Sequence, residues 1–492
     1  MTTMAAVDLG AQSGRVVVGR LDRGRLATRE VHRFPNVPVR VAGTLHWDVL
    51  RLYEEVLAGL AVAGDVDSLG VDTWGVDFAL LDRRGALIGN PVHHRDRRTD
   101  GVMERVFSEV PARELYERTG IQLLQINTIF QLAALAEAGD RSLELAHRLL
   151  LIPDLLHFWL GGVTACEVTN ASTSQCLDAR AQVWATDILA RLGVPAEPFR
   201  ELVPSCSVLG PLRDAVAGRT GLRGAVVAVP GTHDTASAVA AVPFRDSRAA
   251  YISAGTWSLV GVELPEPLIT DETFAANLTN EGGVRGTTRL LRNVDGLWLL
   301  HECRNAWAAA GRSWEFAELV AMAEEAPALQ SFVDPNDARF IAPGELPARI
   351  AAFCAETGQP EPDGPGAVVR CILESLALKH AQTIRILGTV TGSPAPKIHI
   401  VGGGALNEPL CRWTADAAGL PVLVGPVEAT AVGNLIAQAI ALGELGSLEE
   451  AREVVRASFD LPVYEPSLSA AWLEAVERFQ HLTNGQREEV PA

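Results

Sequence analysis

A short apolar strand, a glycine-centred turn of small residues and a second apolar strand occur twice in this chain, half its length apart. The first copy is Ala5–Leu9, then Gly10 to Gly14, then Arg15–Leu21; the second is Ala249–Ser253, Ala254-Gly255-Thr256 and Trp257–Val262. Gly10 and Gly255 lie 255 − 10 = 245 positions apart in a chain of 492. A solenoid repeats every 20–50 residues or so, so this period implies two similar domains, with chance recurrence of a hairpin as the competing explanation. Around the first copy, Asp22-Arg23-Gly24 turns into a third strand ending near Phe34. A helix from about Trp47 carries Leu50, Tyr53, Leu57 and Leu60 at spacings of three and four, and Ser68–Thr73 reads as a strand. That order predicts an α/β layered domain. Pro243 breaks the helix before it, so the expected domains are residues 1–242 and 243–492.

In the second half, Val369, Ile372, Leu373 and Leu376 make one apolar helix face after a Pro/Gly loop at Gln359–Gly366. Strand Ile398–Val401 runs into Gly402-Gly403-Gly404, and a helix with Leu410 and Trp413 follows. Then come strand Val422–Val424, a helix from near Glu428, and a last helix with Trp472, Val476 and Phe479 that Asn484-Gly485 ends. The final residues are expected to be loose.

Composition removes several functions. There are two lysines, Lys379 and Lys397, against forty arginines. Neither lysine sits in Gly-x-x-x-x-Gly-Lys-Ser/Thr or in a kinase strand, so P-loop and protein-kinase machinery are excluded. A Schiff-base or pyridoxal-phosphate enzyme is disfavoured for the same reason. The charge of −18 argues against nucleic acid or an anionic membrane as partner. An anionic ligand must then be held by backbone N–H groups, an arginine or a metal. Seven cysteines without a Cys-x-x-Cys pair indicate neither a disulfide framework nor a zinc ribbon, and pairing of Cys354 with Cys371 stays open. With no signal-like start and no apolar run near 20 residues, a soluble, cytoplasmic protein is expected. The oligomeric state is not readable.

Five segments can carry chemistry. In Asp8-Leu-Gly-Ala-Gln-Ser-Gly-Arg15 the glycines allow close backbone approach and an anion-binding nest, and Asp8 could hold magnesium through water. A plain hairpin with Asp as turn former fits equally. Gly402-Gly403-Gly404 lacks the third glycine of a dinucleotide fingerprint, since 407 is Asn, and strand Val422–Val424 has no acid for a ribose. A glycine turn passing under a nucleotide fits better. His233-Asp234-Thr235-Ala-Ser-Ala238 follows strand Val226–Val229 at a helix start, where Asp234 is either the N-cap or an acceptor for a hydroxyl proton. Asp72-Thr-Trp-Gly-Val-Asp77 combines Trp74 and Gly75 with two carboxylates, as sugar sites do, or is a turn with Trp74 in the core. His93 and His94, adjacent on a strand, would face opposite sides and not share a metal.

Together these strings resemble the FGGY carbohydrate kinases, over nearly the whole chain from about Val7 to beyond Ala441. The resemblance also rests on Ser253-Ala-Gly-Thr-Trp-Ser-Leu259, Asn293-Val-Asp-Gly-Leu-Trp298, Ile400-Val-Gly-Gly-Gly404 and Pro426-Val-Glu-Ala-Thr430. It implies an α/β fold of two actin-like (ribonuclease H-like) domains with the active site in the cleft between them. It implies transfer of the γ-phosphoryl group of ATP, with Mg²⁺, to the 1-hydroxyl of L-rhamnulose. By the family pattern Asp234 is the catalytic base, and Gly75, His233, Thr235 and Asn293 touch the sugar. Ala11, Gln12, Ser13, Gly14, Arg15, Thr256 and Gly403 would touch the nucleotide and Asp8 the metal. His301 stands where relatives usually have Gln near the nucleotide, and His94 where Tyr is common before Arg95-Asp96. Two alternatives stay open: a kinase for fuculose, xylulose or ribulose, and an actin- or chaperone-like ATPase switch, which needs no carboxylate at an acceptor hydroxyl. Intact phosphate-type hairpins disfavour a non-catalytic sugar binder.

Overall fold

The computed structural model describes residues 1–340 and 344–484. The expected looseness of the last residues concerns 485–492 and lies outside them. Six strands build the first sheet: β1 (Thr2–Leu9), β2 (Ser13–Asp22), β3 (Arg25–Pro35), β4 (Ser68–Thr73), β5 (Ser207–Pro211) and β6 (Val226–Val229). Seven build the second: β7 (Ala250–Ala254), β8 (Trp257–Leu264), β9 (Thr279–Gly282), β10 (Thr288–Asp295), β11 (Ile398–Val401), β12 (Val422–Val424) and β13 (Val463–Tyr464). The strand orders are β5-β6-β4-β1-β2-β3 and β9-β10-β8-β7-β11-β12-β13.

The two orders superimpose. In each, a central strand carries an antiparallel neighbour through the glycine turn (β1 with β2, β7 with β8) and a further antiparallel strand beyond it. On its other side each central strand takes a parallel partner, then a second parallel strand, then an antiparallel edge. The second sheet adds β9. The hairpin repeat is therefore a repeat of whole sheets, which chance recurrence would not produce.

Helices used below are α1 (Val49–Ala61), α2 (Val168–Thr173), α3 (Asp234–Ala240), α4 (Trp298–Ala309), α5 (Gly364–Thr391), α6 (Glu408–Ala418), α7 (Ala429–Ala441) and α8 (Ala470–Asn484). Asp48 caps α1, whose buried face is Val49, Leu52, Val56, Leu57 and Leu60. Leu50, expected on that face, is 55% exposed. The buried face is centred on Val49, Leu52, Val56 and Leu60, and Leu50 lies about 100° round the helix from Val49. On α5 all four expected residues are buried, packed with α6, α8 and the second sheet. Lys379 is buried against Asp334, with Nζ 2.9 Å from Oδ1, so one of the two lysines is a core ion pair.

A third core joins the halves. Helix α7 belongs by sequence to the second half but lies against β1, β4 and α3 of the first. Small residues make this possible: a Cβ on Gly433 would fall 1.7 Å from the Ser237 carbonyl oxygen. Asn434 donates to the Gly70 carbonyl at 3.2 Å and to Asp72 Oδ2 at 2.6 Å. Gln438 donates to the Ala5 carbonyl at 2.9 Å and accepts from Ser68 at 2.7 Å. Buried amides with their partners supplied fix a register that apolar contact alone would leave free to slide.

Two predictions follow from this packing. Gly433→Ala should destabilise the protein by about 1–3 kcal/mol or more through overpacking. Gly218→Ala, in a helix where a Cβ meets nothing within 4 Å, should be neutral or slightly stabilising. Thermal melts of the two variants check this, and equal melting points would refute the crossing as a constraint. The second concerns acid. Burial depresses His157 and His380 to about 3 and His399 to about 4, and burial with His94 beside it depresses His93 to about 3. These rings are neutral when folded but take up protons in the unfolded chain below about pH 6.5. Stability contributed by them is whole above that value and falls as pH drops from about 6.5 toward 3–4, by at most about 1.4 kcal/mol per pH unit per ring. Melting temperature should fall steeply between pH 7 and pH 5, with a shallower fall in His380→Leu.

Candidate active site

Strands β1, β4 and β6 run parallel and end on one edge of the first sheet, the edge where open α/β sheets take ligands. Asp8 near the end of β1 is in register with Asp72 of β4, and Thr73 pairs with His233 just beyond β6. Asp234 is the next residue. Three carboxyl groups thus occupy three adjacent strand ends. The matching register pair in the second sheet is Ser253 and Val401, so this edge is acidic in one half only.

Each carboxyl is held differently. Asp8 Oδ2 accepts from Arg15 Nε at 2.9 Å and Nη2 at 2.6 Å. Arg15 also pairs with Glu428, the residue capping α7, which ties the first hairpin to the second half. Asp72 is fully buried; Asn434 holds its Oδ2, and its Oδ1 has no hydrogen-bond partner among the described residues. Burial, and then the neighbouring Asp8, push its carboxyl well above the usual range. Asp234 has a side chain 29% exposed, and its Oδ1 accepts from Thr235 N at 2.6 Å and Thr235 Oγ1 at 3.2 Å. Burial raises its pKa, His233 opposes the rise and Asp8 adds to it. The capping alternative is corrected here: His233 occupies the N-cap and Asp234 the first helical position. From there Asp234 binds only the next residue's N–H, not those one turn in. Among the described residues no donor reaches Oδ2.

The segment Trp74 to Asp77 is rigid. Asp77, fully buried, accepts through Oδ2 from Trp47 Nε1 at 2.6 Å, Trp74 Nε1 at 2.9 Å and His94 Nδ1 at 2.7 Å. Burial would raise its pKa, but the two histidines and the Trp47 indole hold it below the usual value. Trp74 is therefore core, its N–H spent inside. His94, without an assigned role in the sequence, is one of the donors that hold Asp77. His93 and His94 do not face opposite sides: they lie outside regular strand, with ring centroids 4.4 Å apart in one aromatic cluster with Trp47. Val76 has φ +66°, a costly conformation for a β-branched residue. Thr173 accepts from its N–H at 3.1 Å, and Thr128 and Gln131 donate to its carbonyl. A Cβ on Gly75 would come within 2.8 Å of Thr173 Oγ1, so only glycine fits. Across the cleft, Asn293 in β10 donates through N and Nδ2 to Gln122 Oε1 of the first half, at 3.1 and 2.9 Å.

The two glycine turns use their carbonyls alike. In the first, Ser13 O accepts from Gly10 N, Gln12 O from Asn36 N and Gly10 O from Asn36 Nδ2, all at 2.9–3.0 Å. In the second, Trp257 O accepts from Gly255 N, Gly255 O from Leu297 N, and Thr256 O from Gly296 N and Trp298 N. Turns whose carbonyls are occupied from within are left to offer N–H groups to an anion. Gly404 and Gly402 pack on Ala254, where a Cβ would come within 2.5 and 2.9 Å, while Gly403 meets nothing within 4 Å. Gly403 and Thr256 thus belong to one surface. His301 lies on α4, its ring 5.8 Å from Phe316, and burial lowers its pKa.

The sequence reading did not single out Arg95, Gln122, Glu281 or Arg289. Arg95 crosses from the first half and lies over Trp257 at 5.2 Å and Trp298 at 4.9 Å, which brings a positive charge beside the second turn. Its one sequence signal was its place after His94. Arg289 and Glu281, on β10 and β9, meet at His233.

Comparison with known proteins agrees with this arrangement. The N-terminal domain of the FGGY family of carbohydrate kinases matches residues 3–241, and its C-terminal domain residues 250–442. A protein of Bacteroides thetaiotaomicron named rhamnulokinase is 41% identical over 480 residues, covering 97% of this chain and 98% of the relative. A rhamnulokinase of Yersinia pestis is 41% identical over 495 residues, covering 99% of each. Among solved structures, a ligand-bound xylulose kinase from Lactobacillus acidophilus has a TM-score of 0.79 at 15% identity, covering 99% of each chain. A Plasmodium falciparum glycerol kinase with ADP has a TM-score of 0.74 at 16% identity, covering 97% of this chain and 98% of that one. These structures share the fold, two α/β actin-like domains.

If Asp77 anchors the Trp74–Asp77 segment, Asp77→Asn should cost about 1–3 kcal/mol, because a neutral amide oxygen holds those three donors less strongly than a carboxylate oxygen and the new NH2 would face the Gln131 Nε2 donor. The KM for the acceptor should rise while the KM for ATP stays unchanged. A uniform loss of both affinities would instead mark Asp77 as a general packing residue.

Proposed function

The chain belongs to the FGGY family of carbohydrate kinases, and from that premise we propose how its residues divide one reaction between them: transfer of the γ-phosphoryl group of ATP to the 1-hydroxyl of L-rhamnulose. The full-length relatives at about 41% identity carry the choice of sugar over the other ketoses and over an ATPase switch. The observation that carries the mechanism is Asp234, half-buried at the strand edge, anchored through Oδ1 and with Oδ2 unengaged.

In this reading residues 1–242 hold the sugar and the base, and 243–492 supply most of the nucleotide surface. Gly75, His233, Thr235 and Asn293 line the sugar side. Ala11, Gln12, Ser13, Gly14 and Arg15 of the first turn, with Thr256, His301 and Gly403, line the nucleotide side. Phosphoryl transfer needs little covalent work from a protein, so positioning and charge neutralisation dominate. With both lysines away from the cleft, the N–H groups of the two turns and the Arg95 guanidinium neutralise phosphate charge. Among the described residues no group of three or more His, Cys, Asp or Glu could hold a metal by itself. That fits Mg²⁺, which keeps waters and phosphate oxygens and needs one or two carboxylates. Asp8 is the residue that would hold it, and the bound ion would neutralise charge between the phosphates. Asp234 Oδ2 accepts the hydroxyl proton as the new O–P bond forms. Its raised pKa makes it a stronger base than a free aspartate.

Two measurements test this. Asn retains an oxygen for the Thr235 donors, so Asp234→Asn should keep the fold and sugar affinity but lower kcat by roughly 10²–10⁴-fold. Near wild-type kcat would return Asp234 to a structural role. ADP release across a panel of ketoses and aldoses should give the highest kcat/KM with L-rhamnulose and poor turnover of L-rhamnose. A higher value for xylulose or fuculose would overturn the choice of sugar and leave the family.

A further inference from the structure

We infer that Arg289 and Glu281, contributed by the second half, are positioning residues that fix the tautomer of His233 and through it the orientation of Asp234. The inference rests on the reading of Asp234 as the base. Arg289 is fully buried, and its Nη2 lies 3.0 Å from Glu281 Oε2 and 3.0 Å from His233 Nδ1. Its Nε donates to the Gly282 carbonyl at 3.0 Å, which sets the plane of the guanidinium. A guanidinium has donors only, so Nδ1 must present its lone pair. A ring that turns its Nδ1 lone pair to Arg289 carries its proton on Nε2, which lies 3.4 Å from Asp234 Oδ1. The other tautomer would set an N–H against Arg289 and a lone pair against the Asp234 carboxylate, two repulsive contacts in a buried place.

Glu281 Oε2 is 3.3 Å from the same Nδ1 and by itself would draw the proton there. Arg289, paired with that carboxylate, reverses the preference. The main chain at His233 is fixed. Its N–H is held by Thr169 Oγ1 at 3.2 Å, and Thr232 before it donates through N and Oγ1 to the buried Glu167, at 3.0 and 2.8 Å. The place of the ring proton is then decided by Arg289 and Glu281 of the opposite half. With Oδ1 fixed by the Thr235 N–H and hydroxyl and facing the Nε2 edge of the ring at 3.4 Å, Oδ2 is the oxygen left for the sugar hydroxyl. The base is aligned only when β9 and β10 stand against the end of β6.

Full-length protein labelled with ¹⁵N in its histidine rings tests this, the His233 signals being identified by their loss in His233→Gln. The wild type should show a protonated Nε2 and an unprotonated Nδ1. A ring protonated on Nδ1, or on both nitrogens, overturns the inference, and this spectrum decides even if a variant at the buried Arg289 fails to fold. In Arg289→Met the proton should move to Nδ1 and kcat should fall roughly 10–100-fold with the KM for ATP unchanged. Arg289→Lys, which keeps a donor, should restore the tautomer and most of kcat; a Lys variant as slow as the Met variant despite the restored tautomer would refute the link to Asp234. Failure of the base reading looks different: Asp234→Asn would then retain kcat while the wild-type ring spectrum stayed as expected.

Discussion

Helices α3 and α7 cross where Gly433 has no side chain, leaving room for the Ser237 carbonyl of the opposite half. Close approach of two backbones is a geometric condition that no substitution of similar volume can meet. Much of the site depends on it. Helix α3 begins at Asp234, so the crossing places the proposed base. Helix α7 begins after Glu428, which holds Arg15 of the first turn, and sends Asn434 to Asp72 and Gln438 to the backbone of β1. The acidic strand edge of one half is thus braced by a helix from the other.

The second organising problem is charge. An acidic chain that must bind a polyanion places three carboxyl groups on one edge, and each is managed by a different device. Asp8 is ion-paired to Arg15. Asp72 is buried, takes one donor and favours its protonated form. Asp234 is anchored through one oxygen by Thr235 and lies beside a histidine that a buried Arg–Glu pair contacts. Two further cations, Arg95 over its tryptophans and Arg15 at the first turn, bridge the halves. Positive charge therefore reaches the cleft mainly through contacts that exist only when both halves are assembled.

The duplicated fold, the strand edges and Asp234 were legible in the sequence because they are local. A strand, a glycine turn and a small-residue helix write themselves in neighbouring positions, and the bounds of Ser68–Thr73, Ile398–Val401 and Val422–Val424 followed from apolar runs bounded by turns. Local reasoning failed where orientation depended on a partner far away. Leu50 lies off the buried face of α1, which is centred on Val49, Leu52, Val56 and Leu60 and packs on the rest of the domain. His93 and His94 came to one side because the chain there is not a strand, and Asp234 missed the N-cap by one residue.

The sequence by itself determined the element types, the repeat, the absence of lysine-based phosphate machinery and the residues that share strings with a kinase family, since each depends on composition or on spacing within a few residues. Only the tertiary structure decided that Trp74 is core, that His94 is a donor to Asp77, that Arg95 meets two tryptophans of the other half, and that Glu281 and Arg289 reach His233. Those pairs are separated by 17 to 203 positions, and side chains so far apart in the chain have no periodicity or motif linking them. Their contact is created by the docking of one sheet on the other, and the chemistry they perform appears only with that contact.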